Sequence, residues 1–248
     1  MNKYKPSIMH VIDSLSIGGA ERMLVDIVNA IDPEHYKVSV CVTRSDMALE
    51  NEINPSIPVE KLDRRTRFEP SGFQKLSRLL KDQHVDILHA HGRSTYSFLL
   101  TAKLLGLCKQ PIILHDHFGN IEFDNEVPLW FRVLGAKNLV HYIGVCNQLA
   151  DWAKIAGIAE DKISVIENAL DLQRFERYDA NDLHTNLRIP EGKKIGVMVG
   201  NLRYAKGLDL LIQSCNEIDP EALPYFVIVG EELEEDYLNA CRNLLRDF

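Results

Sequence analysis

Short apolar runs at residues 8–12, 38–42, 85–88, 111–114, 142–145 and 163–166 alternate with longer amphipathic stretches at 20–31, 73–82, 94–105 and 148–156. Runs that are continuously apolar, without an in-out rhythm, belong to strands buried on both faces. Stretches of this length between them suit crossover helices joining parallel strands. The pattern predicts a doubly wound α/β domain, a Rossmann-like parallel sheet with helices on either side. In such a sheet, ligands gather at the carboxyl ends of the strands.

After Asn168 the alternation gives way to a charged stretch, 171–194, which includes Arg174, Glu176, Arg177 and Asp179. A boundary is placed there, giving domains 1–176 and 177–248. A second alternation follows, with strands at 195–199 and 225–229, a helix at 208–215 and another from about Leu233. Two strands and two helices bury too little surface for an independent core, so the second domain reads as incomplete.

Composition narrows the function classes. The 248 residues carry a formal charge of -8, which disfavours a sequence-independent nucleic-acid binder. No apolar run reaches the length of a membrane span, and the reading is a cytoplasmic protein. The five cysteines are odd in number, widely spaced and never in a CxxC pair, as expected of reduced core thiols.

Three constellations could carry chemistry. Gly18 and Gly19 follow the first strand and open a helix, where free N–H groups and a close backbone approach can hold an anion. The spacing is not GxGxxG, which disfavours a dinucleotide site. His89/His91 and His115/His117 form two HxH pairs near strand ends, and residues two apart share a face, so either pair could chelate a metal. Arg203 and Lys206 lie in a strand-to-helix loop, 200–207, where a diphosphate could be clamped. In addition, residues 61–81 hold Lys61, Arg64, Arg65, Arg67, Lys75, Arg78 and Lys81 against Asp63 and Glu69, a cationic cluster suited to anionic headgroups.

In combination, Val11-Ile12-Asp13, Gly18-Gly19-Ala20-Glu21-Arg22, residues 86–92 and residues 111–117 resemble the amino-terminal domain of the retaining, glycogen-synthase-like GT-B glycosyltransferases of family 4. Residues 142–147, the 164–171 segment with Arg174 and Phe175, and the Gly200 to Gly207 loop extend the resemblance in order along nearly the whole chain. It implies two Rossmann-like domains, with a nucleotide-sugar donor held mostly by the second and a glycan or lipid-linked acceptor by the first. It implies Lys206 as the phosphate-binding lysine and Arg203 as a second cation, although many members carry arginine where this chain has Asn201. His117 matches the histidine that contacts the transferred sugar, with His115 as fallback. Gly18 and Gly19 would lie against the donor diphosphate or the acceptor, and Glu21, Arg22 and His91 on the acceptor side. Neither metal nor cofactor is implied.

The family's pair of glutamates seven residues apart is not found; Glu231, Glu232, Glu234 and Glu235 come too early and read as the first turn of a helix. The expectation is a sugar transferase of surface polysaccharide synthesis, peripheral at the inner membrane face through residues 61–81, with this chain cut short and weakly active alone. Two other readings remain open at this stage: a metal-dependent hydrolase using the HxH pairs, and a non-catalytic remnant that still binds acceptor.

Overall fold

Seven strands, all parallel, form the first sheet in the order β3-β2-β1-β4-β5-β6-β7. They are β1 (Ser7–Ile12), β2 (Lys37–Val42), β3 (Val59–Lys61), β4 (Ile87–His91), β5 (Ile112–Asp116), β6 (His141–Gly144) and β7 (Ile163–Val165). The computed structural model describes residues 4–169, Leu172 and residues 183–245, and divides into two units, Met1–Leu172 and Gln173–Phe248. Asp171, Arg174, Glu176, Arg177 and Asp179 of the charged stretch, and Phe175, lie outside the described residues.

Helices α1 (Gly19–Ala30), α2 (Pro70–Asp82), α3 (Arg93–Leu104) and α5 (Asn147–Ile155) form where the amphipathic stretches predict them. The segment Phe131–Gly135 leads into a single turn, α4 (Ala136–Asn138). On α1 the buried residues Leu24, Val25 and Val28 follow a helical spacing and pack with Ile12, Val40 and Val42. On α2, Phe73, Leu76 and Leu80 do the same toward a larger core that includes Met9, Leu88, Ala90, Leu114 and Trp152. Pro70 suits the first turn of α2 because the N–H it lacks has no intrahelical acceptor there.

The topology fixes where a site can form. Strand order reverses between β1 and β4, so the crevice at the carboxyl ends of these two strands is the switch point of the sheet. Two strand readings need correction. β3 is a three-residue edge strand, too short to show a period in the sequence. β4 does not stop at Leu88 but runs on through His91, because its ladder with β5 continues through His89↔Ile113 and His91↔His115. These histidines therefore line a sheet face and do not sit in a loop.

The unit Gln173–Phe248 contains α6 (Leu183–Leu187), β8 (Ile195–Val199), α7 (Leu208–Asn216), β9 (Tyr225–Val229) and α8 (Glu235–Leu244), with β8 and β9 parallel. Its core is Leu202, Leu208, Leu238 and Cys241, with Met198 and Ile228 packed against them. Val197, Val199 and Val229 are exposed. Of the four glutamates, only Glu235 lies within the first turn of α8. Glu234 caps it and accepts from Tyr204 N–H at 2.9 Å, and Glu232 pairs with Arg242. All five cysteines are free thiols.

Candidate active site

Period-two geometry and strand register bring five imidazoles together. His10 on β1 lies beside His89 on β4, and His91 beside His115 on β5. His89 and His91 share one face of β4, and His115 and His117 continue the same face of β5. The rings stack, with centroids 4.6 Å apart for His10 and His89, 4.7 Å for His89 and His91 and 5.4 Å for His91 and His117, and His115 and His117 lie tilted at 4.2 Å. His91 is the centre: its Nε2 lies 3.0 Å from His10 Nδ1, and its Nδ1 lies 3.2 Å from His117 Nε2. Each contact needs one proton between two nitrogens, so the tautomers of the three rings are linked.

Burial keeps the cluster neutral. It pulls His10 and His115 down to about 3, with repulsion between the rings adding to the effect. His89 and His91 lie well below their ordinary value for the same reasons. His117 falls to about 4 through burial, against an opposing pull from Asp116. At neutral pH, then, His117 can donate or accept a hydrogen bond but carries no charge to share with a reacting sugar. His10 Nε2, His89 Nε2, both ring nitrogens of His115 and His117 Nδ1 are buried without a partner.

A second network braces the switch point. Asp13, just past β1, accepts from Thr43 Oγ1 and Arg64 Nη2, each at 2.7 Å. Burial pushes the Asp13 carboxyl up, but hydrogen bonds from Ser94, Thr43 and Arg64 together outweigh it and hold the group below its ordinary value. The Arg64 guanidinium is 1% exposed and lies 4.6 Å above the Phe98 ring. Arg64 is therefore withdrawn from the cationic surface expected at residues 61–81. Lys61 pairs with Glu50, Lys75 with Asp63, and Arg67 donates to Ser97 Oγ; Arg65, Arg78 and Lys81 are the exposed remainder.

On the opposite face of β5 Asp116 is fully buried. It accepts from Arg93 Nε at 2.7 Å, Tyr142 O–H at 2.8 Å and Phe118 N–H at 3.1 Å. Arg93 also sits 3.7 Å from the Trp152 ring centroid. This arrangement anchors the turn that carries His117 and excludes Asp116 as a ligand for any ion on the histidine face.

The remaining expected residues divide. Gly18 and Gly19 do open α1, and space beside Gly19 is clear. A side chain at Gly18 would meet the Glu21 carboxylate, which also accepts from Ser14 Oγ at 3.4 Å. The loop thus presents a carboxylate and two serine hydroxyls, Ser14 and Ser16, a setting better matched to sugar hydroxyls than to a diphosphate. Both terminal nitrogens of Arg22 engage Glu52, one at 2.7 Å, which braces α1. His91 is 3% exposed, and both of its ring nitrogens face other histidines.

In the second unit, Arg203 and Lys206 are exposed on the loop between β8 and α7, with no carboxylate partner among the described residues. Gly207 closes that loop in the left-handed region (φ 71°), a conformation that costs a side-chain-bearing residue about 1–2 kcal/mol. The stem of Lys206 lies over Gly200.

Sequence reasoning missed His10, Asp13 and the Arg93–Asp116–Tyr142 network. His10 lacks an HxH partner, and only the placement of β1 against β4 brings it to the cluster. No described helix is long and apolar enough to cross a membrane.

Comparison with known proteins bears on this geometry. An uncharacterized glycosyltransferase of Methanocaldococcus jannaschii is 25% identical over 177 residues, which is 66% of this chain and 45% of the relative. HepE of Anabaena, solved with UDP and glucose, superimposes with a TM-score of 0.74 at 20% identity, over 96% of this chain and 65% of that one. A glycosyltransferase from Rickettsia africae gives 0.72 at 17% identity, over 98% and 65%. The chain thus spans less than two thirds of the length of each. The solved structures establish the GT-B type of α/β fold. The Glycosyltransferase Family 4 model matches residues 17–174, from the loop after β1 through the rest of the sheet that holds the histidine cluster, and the chain belongs to that family.

Proposed function

We propose that the chain serves a retaining glycosyltransferase that moves a sugar from a nucleotide-sugar to a glycan or lipid-linked acceptor in surface polysaccharide synthesis. The observation that carries the donor side is the pair of exposed cations Arg203 and Lys206 on the loop after β8, which meet no carboxylate among the described residues. Phosphate oxygens binding there would take charge-assisted hydrogen bonds and gain from the nearby amino end of α7. As the diphosphate leaves the anomeric carbon, both cations would stabilise its growing negative charge. HepE binding UDP and glucose supports a nucleotide-sugar as the partner. No metal or cofactor enters this scheme.

His117, neutral and at the carboxyl end of β5, would hold the transferred sugar through a hydrogen bond. Ser14, Ser16 and Glu21 would receive acceptor hydroxyls beside Gly18 and Gly19. Arg65, Arg78 and Lys81 would draw the protein to an anionic membrane surface carrying the acceptor, at about 1 kcal/mol for each cation near the headgroups.

Calorimetric titration with UDP and GDP tests the donor assignment. Binding of one of them should weaken about tenfold in each of Arg203→Ala and Lys206→Ala. Affinity in both variants equal to that of the unsubstituted chain would remove the clamp. Flotation with anionic vesicles tests the surface reading: charge reversal at Arg65, Arg78 and Lys81 should abolish binding, whereas unchanged binding removes it.

A further inference from the structure

The histidine cluster has a chemistry that sugar transfer does not use. We infer that His91, His115 and His117 form a binding site for a borderline transition-metal dication of the zinc, cobalt and nickel type.

Three observations carry it. The ligand nitrogens of these three residues all lie within 4.8 Å of one another. His91 Nδ1 and His117 Nε2 are 3.2 Å apart, close to the ~3.3 Å that separates two nitrogens bound at ~2.05 Å on a tetrahedral zinc. The proton that lies between them in the apo protein moves to the far nitrogen of its own ring when both lone pairs turn to an ion. His115 is buried and neither of its nitrogens has a partner. Unpaired buried polar atoms are rare in native proteins, and a bound ion is one of the few things that satisfies them.

The surroundings favour the ion. With Nδ1 on the metal, His91 carries its remaining proton on Nε2 and donates it to His10 Nδ1 at 3.0 Å, a bond that orients a ligating imidazole and raises its basicity. His117 is partly exposed, which gives a hydrated ion a route in and leaves a fourth position for water. Three neutral imidazoles without a carboxylate suit zinc, cobalt or nickel and discriminate against magnesium and calcium. Of the two possible triads, His10, His89 and His91 form the other. It is less suited, because it would leave both nitrogens of the buried His115 unsatisfied.

Occupation would also have a consequence for catalysis. An ion that takes His117 removes it from a bound sugar, so the metal would inhibit transfer; this part rests on the role assigned to His117 above, and the binding does not.

Equilibrium dialysis of the untagged chain against zinc, with cobalt as a visible-absorption probe of tetrahedral nitrogen coordination, tests the site. One equivalent should bind, with no uptake of magnesium. His117→Gln, at a partly exposed position, should weaken zinc binding by roughly 100-fold, and His115→Gln likewise provided that its circular dichroism melt remains native-like. His141→Gln, on the same sheet but outside the triad, should leave affinity unchanged. Absence of saturable zinc or cobalt uptake would overturn the inference. So would loss of binding in His10→Gln or His89→Gln with retention in His117→Gln, which would move the ion to the other triad. Inhibition is read separately from competition between zinc and donor turnover, so its failure would count against the role of His117 and not against the site.

Discussion

In the unit Met1–Leu172, five imidazoles, Asp13, Arg64 and Asp116 are packed into or against a seven-stranded sheet and largely shielded from water. In the unit Gln173–Phe248, Arg203 and Lys206 stand on an exposed loop over a core of four buried side chains. Both sets lie at or near carboxyl ends of parallel strands, but the energetics differ. Buried polar groups exist only in the protonation state and pairing that the fold permits, so changing them changes stability. Exposed cations without a carboxylate partner among the described residues cost little to remove, so changing them changes chiefly what binds. The first arrangement determines geometry, and the second supplies charge.

Acidification should separate the two most strongly. Histidines that stay neutral in the fold, with values of about 3 to 4 where resolved, bind protons at about 6.5 once unfolded. The unfolded state therefore holds more protons in that window, and stability falls as pH drops below 6.5 toward the folded values. The loss amounts to about 2 kcal/mol at pH 5 for each histidine that remains neutral. Urea unfolding at pH 7.5 and pH 5 checks this. His89→Asn and His10→Asn should flatten the slope, and the same slope in both variants would show that the cluster does not govern it.

Next in size is Trp152→Ala, which empties a site where Trp152 meets Phe131 at 4.9 Å and lies beneath Arg93. It should cost about 4 kcal/mol in unfolding free energy. Arg64→Ala should cost about 2–3 kcal/mol by leaving Asp13 without its cation. Asp13→Asn in the same chain should recover part of that loss, and strict additivity of the two would contradict the pairing. The smallest stability change belongs to the second unit. Arg203→Ala and Lys206→Ala should each alter unfolding free energy by less than ~0.5 kcal/mol, as expected of exposed residues without partners.

Much of this molecule is legible in its sequence, for reasons that differ by element. Strands β8 and β9 show their full bounds because each is a continuous apolar run closed by glycine or a polar turn. β4 does not, since His89 and His91 interrupt its apolar character and the apolar run ends at Leu88. The HxH pairs are visible as pairs, but convergence with His10 depends on β1 lying beside β4, a property of sheet order. Arg64 and Arg22 look like surface cations in sequence. Their burial or pairing depends on Asp13 and Glu52, which are 51 and 30 residues away. Local pattern reveals which residues are capable of chemistry, and long-range pairing decides which of them remain free for it.

The proposal that a nucleoside diphosphate is held by exposed cations of the second unit is tested most directly by a residue-resolved titration. In the amide ¹H–¹⁵N NMR spectrum, UDP or GDP should shift signals of Gly200, Arg203, Lys206 and Gly207 in a saturable way. Each shift should weaken in Arg203→Ala. If neither nucleotide moves these signals, or if saturation shifts only the Gly18 and Gly19 loop, the assignment of the donor site is wrong.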